Sequence, residues 1–108
     1  IFLRNNNAVN ALLAATIVEY ADPSSRLTFA LASGLNDDNT GVNRLTAPPF
    51  IGPSGFSAGP YTLGQQLTDG QTDLGPGSGI GVYLALDLPA GTAAAKSTYT
   101  LRITGQTT

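Results

Sequence analysis

From Gly34 to Gly79 the chain is broken so often by glycine and proline that a helix of useful length has no room. The breakers are Gly34, Gly41, Pro48-Pro49, Gly52-Pro53, Gly55, Gly59-Pro60, Gly64, Gly70, Gly75-Pro76-Gly77 and Gly79. Inside a helix each glycine costs about 1 kcal/mol and each proline about 3 kcal/mol relative to alanine, so the segment reads as short strands between turns. Flanking segments alternate apolar and polar residues with the period of a strand. Leu27, Phe29 and Leu31 share one face of Arg26–Ala32; Ile80, Val82, Leu84, Leu86 and Leu88 share one face of the next; Tyr99, Leu101 and Ile103 share one face of Ser97–Thr104. Such alternation predicts strands with one face buried and one wet. The last two segments, joined by Pro89–Lys96, are expected to form a long antiparallel hairpin.

Elsewhere the pattern is weaker. Tyr61-Thr62-Leu63, followed by Gln65 and Leu67, fits a short strand, and residues 36–59 read as a long loop of the kind that is either functional or packed against something. Near the N-terminus Val9, Leu12, Leu13, Thr16, Ile17 and Tyr20 fit a helical face with Asn7 as N-cap. With period two, Val9, Ala11, Leu13, Ala15 and Ile17 fall on one side and Leu12, Val18 and Tyr20 on the other, giving a strand apolar on both faces. The strand reading is preferred, with helix as the alternative that the alanine content keeps open. At 108 residues the chain makes one domain. The expected fold is therefore all-β, a single-domain antiparallel β-sandwich or jelly roll over 21–108, preceded by an N-terminal extension over 1–20.

Composition then narrows function mainly by exclusion. The chain has no His, Cys, Met or Trp, and charged residues make up 11% of it. Histidine and cysteine supply most general bases, nucleophiles and transition-metal ligands near neutral pH, so an enzyme is not expected. Five scattered basic residues (Arg4, Arg26, Arg44, Lys96, Arg102) and a net charge of -2 make no basic stripe, which argues against nucleic acid as a partner. The longest apolar run, Ala11 to Val18, is too short to span a bilayer. A start at Ile1 suggests processing, with leader removal the preferred explanation, and high Thr and Gly with low charge favour an extracellular or cell-surface location. Lys96 is the only lysine and Glu19 the only glutamate, and these residue types are the ones depleted from interfaces. So sparse a charged surface suits packing against copies of the same chain.

Several motifs invite chemistry. Ile1-Phe2-Leu3 places three large apolar residues at a chain end; as a donor strand they would insert into a neighbour's sheet, and as an edge strand they would stay in their own. The residues expected to carry donation are Ile1, Phe2, Leu3, Val9, Leu12, Leu13 and Ile17. Asp37, Asp38 and Asn39, beside Gly41, offer oxygen ligands as a weak calcium candidate, but the full loop pattern fails and Asx-turns explain the same residues. No metal or other cofactor is expected. Seven carboxylates (Glu19, Asp22, Asp37, Asp38, Asp69, Asp73, Asp87) are the only acid and base candidates, and they read as solvated turn residues rather than a facing pair. Gly75-Pro76-Gly77-Ser78-Gly79 lacks the Lys-Ser/Thr ending of a phosphate loop and leads into a strand, so it reads as a turn. Tyr83 is the best placed of four tyrosines for stacking on a sugar, though such a ring more often pairs across a sheet.

The stretch Val82-Tyr83-Leu84-Ala85-Leu86-Asp87-Leu88-Pro89-Ala90-Gly91-Thr92, followed by Tyr99-Thr100-Leu101-Arg102-Ile103-Thr104, resembles the closing strands of secreted β-sandwich fibre subunits of the TasA and camelysin-like kind. The resemblance covers the last quarter of the chain and carries over no functional residue. It implies a jelly-roll subunit that polymerises by giving an N-terminal strand to its neighbour. The expectation is thus a structural subunit of an extracellular filament or surface assembly, with copies of itself as partner and no small-molecule substrate. A virion capsid-decoration or tail protein and a monomeric carbohydrate-binding module are the alternatives.

Overall fold

A computed structural model of the chain describes residues 1–36, 51–91 and 98–107. Its elements are β1 (Phe2–Arg4), β2 (Leu12–Ala21), β3 (Leu27–Leu35), β4 (Tyr61–Thr62), a one-turn helix α1 (Leu63–Gln66), β5 (Gly79–Leu86) and β6 (Thr100–Thr107). The strands form two antiparallel three-stranded sheets, ordered β1-β5-β3 and β4-β2-β6. The chain is all-β, as its alternation requires. Between the sheets lie Ala15, Ile17, Phe29, Leu31, Leu63, Leu74, Ile80 and Val82, all buried. Each fully buried aliphatic or aromatic side chain contributes about 1.5–3 kcal/mol.

Residues 1–20 are not an extension. β1 pairs with β5 through Phe2↔Gly81, Leu3↔Ile80 and Arg4↔Gly79, while β2 runs down the middle of the second sheet. The physical reason is burial: Ala15 and Ile17 have no exposed surface, and withdrawing β2 would separate β4 from β6. Asn7 behaves as an N-cap would, its Oδ1 accepting from the backbone N–H of Val9 and Asn10 at 2.8 Å each, but a strand follows.

Within β2 the side-chain alternation slips. Ala14 has φ 50°, and the pairing with β6 shifts between Leu13 and Thr16. An inserted residue of this kind reverses which side chains face inward. Leu12 consequently packs on the core, whereas period two had grouped Leu13 with Ile17. Gly105 makes the bulge sterically feasible, since a Cβ there would lie 2.6 Å from the Leu13 carbonyl oxygen.

The expected C-terminal hairpin does not form. β5 lies in the first sheet against β3, and β6 lies in the second against β2. Period two fixes which face of a strand is buried and says nothing about its lateral partner. The turn expected at Gly75–Gly79 is present: Ser78 N–H donates to the Gly75 carbonyl at 3.0 Å and Gly77 has φ 72°.

Asp22 closes the β2–β3 turn. Its Oδ1 accepts from the Ser24 hydroxyl (2.6 Å) and backbone N–H (3.2 Å), and its Oδ2 from Leu27 N–H (2.9 Å). The Ser24 hydroxyl bond, followed by the backbone donor of Leu27, holds its pKa below the ordinary 3.8. Because the folded value is depressed, this stabilisation is present above pH 3.8 and is lost as pH falls through the folded value. Asp22→Asn should therefore flatten the acid limb of stability against pH, measured by urea denaturation from pH 2 to 6; an unchanged slope would refute this role.

Candidate functional site: the open side of the sandwich

The two lateral sides of the sandwich are built differently. One is closed by the segment from Ile51 to Leu74. Against β3, Gly52 N–H donates to the Leu31 carbonyl (2.8 Å), and Phe29 and Ser57 exchange both backbone hydrogen bonds (2.9 and 3.0 Å). Against β2, Glu19 N–H donates to Ala58 (2.9 Å), Ala15 N–H to Thr72 (3.0 Å), and Leu12 and Leu74 exchange bonds at 2.9 and 2.8 Å. Buried Gln66 latches the segment, its Nε2 donating to the Ser54 hydroxyl at 2.7 Å. Tyr61 does the same from the core, its hydroxyl bonded to Gly55 and Ser57.

The other side is bounded by β1 and β6, and among the described residues no segment joins them. Between these edges runs a cleft of about 260 Å³ walled by Leu3, Leu12, Leu74 and Ile103, with Asn5, Asn7 and Asn10 at its rim. Asn5 shapes that rim: its Nδ2 donates to the carbonyls of Asn10 (2.9 Å) and Leu74 (3.0 Å).

Strand alternation identifies the unused backbone groups. Glu19 N–H points to the closed side, so its neighbour Val18 points to β6 and engages Arg102, the residue opposite it. Leu101 and Ile103 must then turn their N–H and C=O outward. On β5, Val82 and Ile1 exchange backbone hydrogen bonds at 2.8 and 3.1 Å, which directs Leu84 and Leu86 toward the same side, beyond the reach of β1. Those two leucines and Leu88 are exposed, as are Ile1 and Phe2.

Of the residues expected to donate a strand, Ile1, Phe2 and Leu3 lie along the protein's own β5, and Leu12, Leu13 and Ile17 lie in β2. Val9 is 80% exposed in the connecting turn. The calcium candidates Asp37, Asp38 and Asn39 lie outside the described residues, as does most of the long loop; its described end, from Ile51, is the part that closes β3. The tyrosines share no flat face. Tyr61 is buried edge-on to Phe29 at 4.9 Å, Tyr20 lies under Arg102, Tyr99 donates to Glu19, and Tyr83 sits on the face of β5 opposite Val82. Burial and, secondarily, the charges of Glu19 and Asp22 push the Tyr99 phenol up to about 12.

Comparison with protein-family models, with characterised proteins and with solved structures returns no match. The site must therefore be read from its own chemistry. Its N–H and C=O groups, unpaired among the described residues and bordered by apolar side chains, are suited to receiving another strand. Sequence reasoning missed β6 as the principal edge, because alternation in Thr100–Thr107 is the same whether one or both sides of the strand are paired. Among the described residues no helix is long and apolar enough to cross a membrane.

Proposed function

We propose that this protein is a structural subunit of an extracellular assembly made of copies of itself, joined by strand addition at the open side of the sandwich. The observation that carries the reading is the contrast between the two sides: residues 51–74 hydrogen-bond to both sheets on one side, while on the other β1, the far part of β5 and β6 have edges that pair with no further strand among the described residues and border an apolar cleft. The low charged fraction and the filament-like resemblance of the C-terminal quarter point the same way. The strand added comes from the edges of the sandwich rather than from withdrawal of residues 1–17, because β2 is a central strand. Catalysis, nucleic acid binding and a small-molecule substrate have no part in this reading.

The test is electron microscopy and analytical ultracentrifugation of the purified protein beside Thr100→Lys/Thr104→Lys. Both threonines are exposed on β6, and lysines on an edge strand oppose pairing. The unmodified protein should assemble and the variant should remain a folded monomer with unchanged circular dichroism. Monodisperse monomers of the unmodified protein across a hundredfold concentration range would refute the reading.

A further inference from the structure

Natural edge strands are usually protected from one another by an outward charge, a proline or a bulge of their own. β6 has no proline and no bulge of its own over Thr100–Thr107. Its one charged residue, Arg102, is folded back over the protein's own sheet, with the guanidinium carbon 3.8 Å from the centre of the Tyr20 ring on β2. The charge that could have guarded this edge is thereby drawn off it.

We infer that β6 pairs antiparallel with β6 of a second copy about a two-fold axis through Ile103, merging the two β4-β2-β6 sheets into one of six strands. This rests on the assembly reading above and names its contact. Backbone direction restricts the registers: Leu101, Ile103 and Gly105 face outward and must meet outward-facing residues of the other copy. A register centred on Arg102 would set two guanidinium groups on opposed residues and is disfavoured by like-charge repulsion. Centring on Ile103 sets Arg102 opposite Thr104, Ile103 opposite itself and Leu101 opposite Gly105, which has no side chain to obstruct it. The contact is isologous, the same patch meeting itself. A second copy fits better than an unrelated peptide because this register leaves no like charges opposed along the paired strands and sets the inward-facing Ile103 of one cleft against Ile103 of the other.

Opposed Arg102 and Thr104 form a non-hydrogen-bonded pair, whose Cα atoms stand about 4.5 Å apart, within range of a disulfide. The chain has no cysteine, so the test is clean. Arg102→Cys and Thr104→Cys proteins are prepared separately, then each alone and an equal mixture are oxidised mildly and run on a non-reducing gel. Folding of both exposed-site variants is checked by circular dichroism.

The expected result is a band at twice the 11.0 kDa of the chain in the mixture, and little in either protein alone. Crosslinking of Thr104→Cys with itself would overturn the register. Assemblies that persist with no crosslink in the mixture would overturn β6 pairing while leaving the assembly reading standing. A monomeric unmodified protein in the ultracentrifuge would refute both.

Discussion

Phe29→Ala is expected to cost about 3–5 kcal/mol and to leave little folded protein at physiological temperature. Phe29 is fully buried on β3, and its ring meets Tyr61 at 4.9 Å with planes 62° apart. Its backbone also exchanges both hydrogen bonds with Ser57, so this residue sits where the first sheet, the closing segment and β4 meet. Truncation removes the transfer free energy of the ring and leaves a cavity between two sheets held apart by their other side chains. Domains of this size hold roughly 5–15 kcal/mol in total, so the loss is a large share of the whole. Urea denaturation monitored by circular dichroism reads the change as a lowered midpoint; a shift equivalent to less than about 1 kcal/mol would mean that the sheets do not pack through this residue.

Gly105→Ala is expected to destabilise by about 1–3 kcal/mol, the usual range for overpacking, although the substitution adds one methyl group and the residue is exposed. The new Cβ would stand 2.6 Å from the Leu13 carbonyl oxygen and 2.8 Å from Leu12 Cγ. Leu12 could yield, but the carbonyl belongs to the bulged stretch of β2 and moves only with the backbone. The strain should appear where β2 and β6 pair, as faster amide hydrogen exchange at Thr104 and Gln106 than at β3. Equal protection in variant and parent would show that the bulge tolerates a side chain. Such a change would also distort the edge proposed to pair between copies, so assembly should weaken alongside stability.

At the alkaline end, the raised Tyr99 value has the opposite sign from Asp22. The folded chain keeps the phenol protonated where the unfolded chain would ionise it, so stability is retained below pH 10 and falls as pH rises toward about 12.

Much of the secondary structure was legible because its signals are local. The alternations at Leu27–Leu31, Ile80–Leu86 and Leu101–Ile103 each follow from side chains pointing to opposite faces of one strand, but the expected one-sided burial fails at Leu84 and Leu86, which are exposed, and at Ala30 and Ala32, which are buried. The Gly75–Gly79 turn was equally readable, and the choice of strand for Leu12–Ala21 followed from the same counting. The slip at Ala14 was not legible, because alanine gives no sign of a left-handed residue and the glycine that leaves room for the bulge, Gly105, lies across the sheet.

The candidate site was less visible still. Ile1, Phe2 and Leu3 drew notice as apolar residues at a chain end, and they do border the open side, but as part of the protein's own first sheet. That β6 pairs with β2 alone among the described strands could not be read from its residues, since edge and interior strands of a two-faced sandwich share one alternation.

The sequence by itself determined that this chain would be built from short strands and turns, because glycine, proline and period-two alternation act on the residues that carry them. It also left the surface poor in charge. Tertiary structure alone decided that β5 and β6 would part into different sheets, that residues 51–74 would close one side, and that among the described residues none would join the edges of the other. Those choices depend on which strand lies beside which, and backbone hydrogen bonds, being the same for every residue except proline, record no such preference in the sequence.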